Sequence, residues 1–286
     1  METPEFLAVG HLCLDLMDGR KILGGSASYA SLTARALGCR VGIVTSLSED
    51  FPFLGEFREI EIQAIPSPST TTFRNVYHNG VREQFISGVA AQIGAEHVPD
   101  SWTGAEIVYL CPIADEVLPD VPARFGKSSL IGVGAQGWFR KWDDSGRVRQ
   151  KRWSQARDIL PHVHVVIYSE LDLDEPYAFA EEVSKLTPIV IVTQSCRGAE
   201  VFVDRQRIHV PAFDIREIDP TGAGDVFAAA FLVRYRETCD AVESAKFACC
   251  AASFVCEKEG TKGTPTRDQV EERLKAYNKM RFPLHS

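Results

Sequence analysis

The sequence predicts an α/β fold: a doubly wound, mostly parallel sheet with a small β lid beside it. Three observations predict it. From Glu106 onward, short apolar runs alternate with helical stretches, the rhythm of strands buried on both faces and joined by helices. Two glycine-rich turns, Gly24-Gly25 and Gly222-Ala223-Gly224, each open an apolar helical stretch. Between them, residues 60–86 are rich in β-forming residues and show no helical spacing.

In chain order, Phe6–Val9 is a short apolar run ending in Gly10-His11, read as a buried first strand, with Asp15 close behind. After the charged turn at residues 18–21 come Gly24-Gly25 and a helix over residues 29–37, which Gly38 closes as a C-terminal cap. Residues 41–45 read as another buried strand. Residues 60–63, 70–77 and 81–86 read as three polar-faced strands, with His78-Asn79-Gly80 as a hairpin turn. Residues 60–86 are therefore expected to supply most of the lid, with Arg74 and Arg82 able to face a ligand beneath it. Core strands follow at residues 107–111, 130–133, 163–168 and 189–193, and helices at 115–125, 150–159 and 175–186. A hairpin at residues 201–203 and 208–210 precedes the second glycine-rich turn. Apolar helices then run from residue 226 and over 241–257, and an amphipathic helix over 268–279 closes the chain. Without repeats, low-complexity tracts or long linkers, residues 1–286 read as a single domain carrying a reduced lid.

Composition narrows the function classes. The 31 Lys and Arg residues are spread along the chain and outweighed by 39 Asp and Glu, a net charge of −8. That balance argues against a nucleic-acid or anionic-membrane partner. No apolar run approaches the roughly 18 residues that suggest a membrane span. Glu2 and Glu5 stand where a secretory leader carries basic residues. The eight cysteines form no C-x-x-C pair, and several sit in apolar stretches, as reduced buried thiols of a cytoplasmic protein do. The histidines are not spaced with them as zinc ligands would be.

The chemistry concentrates at residues 219–225, Asp-Pro-Thr-Gly-Ala-Gly-Asp. Glycines that turn into a buried helix leave N–H groups pointing one way, and the helix dipole makes that end an anion site. Asp225 would repel an anion there unless its carboxylate faces the hydroxyl that attacks it. A positioned base beside N–H groups that hold phosphoryl oxygens is the minimum equipment for phosphoryl transfer.

This heptapeptide resembles the C-terminal signature of the ribokinase-like (phosphofructokinase-B) carbohydrate kinases. Gly24-Gly25, followed by a helix ending in Ala36-Leu37-Gly38, resembles their N-terminal signature, and the likeness covers nearly the whole chain. The resemblance implies Asp225 as catalytic base and the N–H groups of Gly222, Ala223 and Gly224 as its anion hole. It implies Asp15 and Gly25 as holders of the acceptor's hydroxyls, with Gly24 shaping the turn. Thr193, Gly198, Thr221 and Cys249 take places that line the nucleotide in relatives. ATP and Mg2+ would be the cofactors, with a monovalent cation as an option, and a monomer or homodimer the working form.

The chain also departs from the family pattern. Tyr29 stands where an asparagine often touches the sugar. The Thr-Leu-Gly-x-x-Gly motif reads Thr193-Gln194-Ser195-Cys196-Arg197-Gly198, with Ser195 for the middle glycine. The Asn-x-x-Glu stretch tied to magnesium is most nearly Ser169-Glu170-Leu171-Asp172, leaving Asp172 as the candidate metal carboxylate. Asp15 and Gly24 are so close in sequence that strands many members use for the lid are expected to be missing.

Tyr29, Gly134-Ala135-Gln136-Gly137 and the strand run with Arg82-Glu83 look similar to the myo-inositol kinase branch. Asp15 and Gln136 would bind adjacent hydroxyls of a cyclitol or sugar while an aromatic ring covers its face. A nucleoside kinase, with Tyr29 stacking on a base, is the alternative acceptor class. A catalytically silent binding or regulatory relative is the alternative outside catalysis. A dinucleotide oxidoreductase is set aside, because residues 10–15 lack G-x-G-x-x-G.

Overall fold

The computed structural model describes residues 2–17, 19–78 and 81–281; for Tyr77, His78, Val81, Arg82, Met280 and Arg281 it describes backbone only. The strands, in chain order, are β1 (Phe6–Val9), β2 (Cys13–Met17), β3 (Arg20–Gly24), β4 (Val41–Leu47), β5 (Glu61–Pro66), β6 (Thr72–His78), β7 (Val81–Ser87) and β8 (Ile107–Leu110). They continue with β9 (Leu130–Gly134), β10 (Arg140–Trp142), β11 (Val148–Gln150), β12 (Val165–Ser169), β13 (Ile189–Thr193), β14 (Ala199–Val203) and β15 (Gln206–Val210). The α-helices are α1 (Ser26–Ala36), α2 (Ala156–Ile159), α3 (Pro176–Val183), α4 (Ala223–Thr238), α5 (Ala241–Cys256) and α6 (Arg267–Arg281).

Nine strands form the main sheet in the order β15-β14-β13-β12-β9-β8-β1-β4-β5. β1, β4, β5, β8, β9, β12 and β13 run parallel, and the β14–β15 hairpin closes one edge antiparallel. The apolar runs are continuous because both faces are covered. Phe6 and Ala8 join the core under α1, α4 and α5, whereas Leu7 and Val9 join the opposite core of Trp102, Trp138 and α3. Ile189 and Ile191 divide from Val190 and Val192 in the same way. α4 is the central packing element: Val226 through Val233 are each at most 3% exposed. Burying each large side chain there contributes roughly 1.5–3 kcal/mol. The close approach of α4 to the sheet needs Gly132, where a Cβ would lie 2.6 Å from Leu232 Cδ2.

The lid is a separate four-stranded sheet, ordered β3-β2-β6-β7. Its composition corrects two expectations. Glu61–Pro66 is not a lid strand; it pairs parallel with β4 as the edge of the main sheet. An edge strand has one half-solvated face, so its alternating polarity looks the same as that of a lid strand. The second correction concerns residues 13–24, which are short but supply two lid strands. β2 pairs antiparallel with β3 and parallel with β6, Asp15 standing opposite Phe73. The turn between them uses Gly19 at φ +76.

Two expected helices are also absent or shortened. Residues 115–125 form only a 3-10 turn, Pro122–Arg124. Pro119 and Pro122 each lack an amide hydrogen, and Asp115 sits at φ +58, outside the helical region. Of residues 150–159, only Ala156–Ile159 is α-helical; Gln150 ends a strand that pairs with β10, and residues 151–155 form coil and turn. The cysteines of the described residues are all free. Among those residues no helix is long and apolar enough to cross a membrane.

Candidate active site

The site is built around the N-terminus of α4. Gly222 caps that helix in the left-handed conformation, φ +79, which glycine adopts without steric penalty. A second constraint acts on the same residue: a Cβ there would lie 2.3 Å from the Tyr29 ring. Asp219 fastens the turn, accepting the Thr221 N–H at 3.0 Å and the Gly260 N–H at 3.1 Å. No side chain caps α4. Gly224 is exposed, with open space where a Cβ would point. A first-turn glycine at a helix end without a side-chain cap leaves backbone N–H groups that an anion could take. The Ala223 N–H is instead committed to the Pro220 carbonyl at 3.1 Å, which narrows the expected anion hole to the glycines.

Asp225 stands in the first turn, partly exposed. Its carboxyl is pushed up to about 6, chiefly because protein replaces water around it. A hydrogen bond from Ser26 and the positive charge of Arg140 pull it down, while Asp172 and Asp15 push it up. Those four residues come from α1, β10, the turn after β12 and the lid strand β2, so four parts of the fold converge on one carboxyl.

Asp15 lies over the glycine pair. A Cβ on Gly24 would come 2.2 Å from its Oδ2, so only glycine leaves room for the carboxylate. Gly25 caps α1 at φ +95, against the His11 carbonyl. Gln136 donates from Nε2 to Asp172 Oδ1 at 3.2 Å, and Asp172 Oδ2 accepts the Ser169 N–H at 2.9 Å.

Tyr29 departs from expectation. It is 2% exposed, with its ring against Gly222, so it supports the α4 turn from below instead of covering a ligand. The Arg82 side chain lies outside the described residues. Cys249 is 5% exposed within the α5 core. Thr193 directs its hydroxyl to the Tyr168 carbonyl at 3.4 Å.

The loop of residues 193–198 has its central serine in a backbone conformation that suits glycine. Ser195 takes φ +53, the left-handed conformation for which a glycine is suited, and Gly198 takes φ +103. A Cβ on Gly198 would be 2.1 Å from the Val210 carbonyl oxygen. The loop closes through Gln194 N–H to Gly198 O at 2.7 Å. A cavity of about 610 Å3 opens beside this loop, lined by Tyr177, Arg197, Glu200, Arg207 and His209. Glu200 and Phe202 alternate with Ala199 and Val201 along β14, and only the latter two face the core of α4 and α5. The cavity therefore lies on the face of the sheet opposite Asp225.

Arg140 is the residue that motif reading missed. It donates to the Ile113 carbonyl at 3.1 Å, lies 5.3 Å over the Phe73 ring of the lid, and faces Asp225 electrostatically. Its only sequence signal was the cation pair Arg140-Lys141 set between Trp138-Phe139 and Trp142. Asn75 and Gln84 were also missed; Gln84 Nε2 donates to Asn75 Oδ1 at 3.1 Å across the lid hairpin. Asn75 follows Phe73 by two residues, so it shares the lid face that Asp15 occupies.

Among the described residues no cluster of three His, Cys, Asp or Glu could hold a metal ion. Magnesium keeps several waters and needs only one or two carboxylates beside phosphate oxygens; Asp172, the expected metal carboxylate, bonds Gln136 through one oxygen and the Ser169 N–H through the other.

Comparisons with known proteins place the chain in a family. The profile of the pfkB family carbohydrate kinases matches residues 142–267. Ribokinase of Bacillus subtilis (strain 168) is 33% identical over 277 residues, spanning 88% of this chain and 87% of its own. A nucleoside kinase of Methanocaldococcus jannaschii is 36% identical over 281 residues, spanning 92% and 89%. A pyrophosphate-dependent kinase in the ribokinase family, solved with a pyrophosphate analog and myo-inositol, superposes with a TM-score of 0.78. That match covers 93% of this chain and 99% of the other at 20% identity, and it speaks to fold. Identity of a third or more over almost the full length of two relatives reaches further than fold: the chain belongs to the pfkB family of ribokinase-like carbohydrate kinases.

Proposed function

We propose that the protein, working as a single kinase domain, transfers the γ-phosphoryl group of ATP to a hydroxyl of a small cyclitol or sugar, with a myo-inositol-like acceptor favoured. One observation carries the reading: Asp225 stands in the first turn of α4, a helix that no side chain caps, and faces Ser26, Arg140, Asp172 and Asp15, with its carboxyl raised to about 6 by burial. At pH 7 such a carboxyl is about nine-tenths ionised and can still take a proton late in the reaction. ATP supplies the phosphoryl group, and magnesium on its phosphates offsets their charge.

The chain's residues would do the rest. Asp15 and Gln136 hold acceptor hydroxyls so that one of them faces Asp225. Asp225 orients that hydroxyl and receives its proton. The N–H groups of Gly222 and Gly224, with the dipole of α4 behind them, stabilise the oxygens of the transferring group. Arg140 adds positive charge on the same side and holds the lid through Phe73. Thr193, Thr221 and Gly198 would shape the donor side, and Asp172 would hold the donor's metal ion. A cytoplasmic monomer or homodimer would suffice for this chemistry.

A nucleoside acceptor is the second reading, favoured by the 36% identity to a nucleoside kinase. The burial of Tyr29 removes the ring that would have stacked on a base, and equally the ring expected to cover a cyclitol face, so the cyclitol reading rests on Asp15 and Gln136. The deciding experiment offers sugars, cyclitols and nucleosides to the purified protein, with ATP and pyrophosphate as alternative donors. Turnover of cyclitols above nucleosides supports the reading. Turnover of nucleosides alone replaces it, and no turnover with any pair points to a silent relative.

A further inference from the structure

We propose that Glu116, which lies outside the acceptor pocket, is a positioning residue that fixes two walls of that pocket relative to each other. The inference rests on the pocket assigned above and adds a residue that neither motif contains. Glu116 is 1% exposed, a depth at which a carboxyl is found only when it is well bonded. It accepts the His11 N–H at 2.9 Å, the Ile113 N–H at 2.9 and 3.1 Å, and the Ala114 N–H at 2.7 Å.

These N–H groups belong to two loops far apart in sequence, and each loop leads to a site residue. His11 precedes β2, whose third residue is Asp15. The other loop holds the opposite wall: the Ile113 carbonyl accepts from Arg140, and the Pro112 carbonyl accepts the Gly137 N–H at 2.8 Å, next to Gln136. A Cβ on Gly137 would come 2.3 Å from the Pro112 carbonyl carbon, so the two loops touch directly.

The roots of the lid pass through the same junction. The His11 ring bonds Thr71 Oγ1 and the Ala91 carbonyl, both at 2.8 Å, and Thr71 Oγ1 accepts the Ala90 N–H at 3.0 Å. Thr71 immediately precedes β6, and Ala90 follows β7. The Glu116 carbonyl accepts the Ile93 N–H at 2.8 Å. One buried carboxyl thereby sets the spacing between the strand carrying Asp15 and the loop carrying Gln136 and Arg140. The α4 turn and the donor loop have no bond to it.

Glu116→Gln tests this, because its amide N–H2 turns a donor toward backbone donors. With the acceptor the wild type uses best, we expect the acceptor KM to rise about 10–100-fold, the scale on which small misplacements act. The donor KM should stay within about twofold, since the α4 turn is untouched. Combined with Asp15→Asn, the loss should fall short of the product of the single losses, because one mutation acts through the residue the other removes. Hydrogen exchange on the ligand-free proteins should quicken together at residues 11–17, 112–114 and 136–142, with 219–228 unchanged. Equal rises in both KM values, multiplicative losses in the double variant, or uniformly faster exchange would each reduce Glu116 to a general stabiliser. If the glutamine variant does not fold, Glu116→Asp, one methylene shorter, carries the same comparisons. Should the wild type turn over no acceptor, the kinase reading fails on its own, and the exchange pattern still decides Glu116.

Discussion

Replacing Asp225 by Asn should trade activity for stability, and both magnitudes follow from the site. Asparagine keeps the size of the side chain and one oxygen for hydrogen bonding, but it cannot take the acceptor's proton. Removal of a general base typically lowers kcat by about 10²–10⁴-fold. The stability effect comes from the raised carboxyl. The folded state holds it at about 6 against an ordinary 3.8, so the fold binds that proton more tightly than the unfolded chain does. The charged form is therefore a burden on the fold that is absent below pH 3.8 and complete above pH 6. At about 1.4 kcal/mol per tenfold change, the burden approaches roughly 3 kcal/mol at pH 7.5 and falls to about a third of that at pH 4.5. Asp225→Asn should thus be more stable than the wild type by up to about 3 kcal/mol at pH 7.5, with a visibly smaller gain at pH 4.5. Urea unfolding at the two pH values measures the gain, and steady-state kinetics with the best acceptor measures the loss. Unimpaired turnover would remove Asp225 from the chemistry. A variant no more stable at pH 7.5 than at pH 4.5 would show that the carboxyl is not held up in the native state.

Asp15→Ala should raise the acceptor KM and lower kcat together, because a lost hydroxyl contact also loosens orientation; a rise confined to the donor KM would reassign the residue. Arg140→Gln removes a charge that holds the Asp225 carboxyl down, so the acid limb of kcat/KM should move to higher pH. The variant should lose more activity at pH 6 than at pH 8.5, and a pH-independent loss would contradict the electrostatic link. Ser195→Gly should stabilise the fold by up to about 1 kcal/mol, since a left-handed non-glycine residue carries roughly that strain. Thermal unfolding checks it, and a lower melting temperature would mean that the serine side chain holds the loop.

The features readable from the sequence were those written in neighbouring residues. Gly222 and Gly224 announce a helix N-terminus with open N–H groups, and Asp225 one residue on supplies the carboxylate. Strands such as 189–193 announce themselves because both faces are buried, so an unbroken apolar run is the only composition they tolerate. Features that depend on pairing between distant segments were not readable. Glu61–Pro66 and the lid strands have the same half-polar pattern, and only hydrogen bonding to Val41–Leu47 placed the former in the main sheet. Cys13–Met17 and Arg20–Gly24 became lid strands because a segment nearly sixty residues later, Thr72–His78, offered β2 an edge. Tyr29 sits at helical spacing in a sequence that cannot say whether its ring turns toward a ligand or into the core; packing against Gly222 decided for the core. Arg140 and Glu116 belong to no motif, since their roles lie in a carbonyl, a ring and N–H groups brought to them from elsewhere in the chain. Local sequence determined the turn that opens α4 because backbone conformation and helix ends are short-range properties. The walls around that turn were decided only when folding set distant strands side by side.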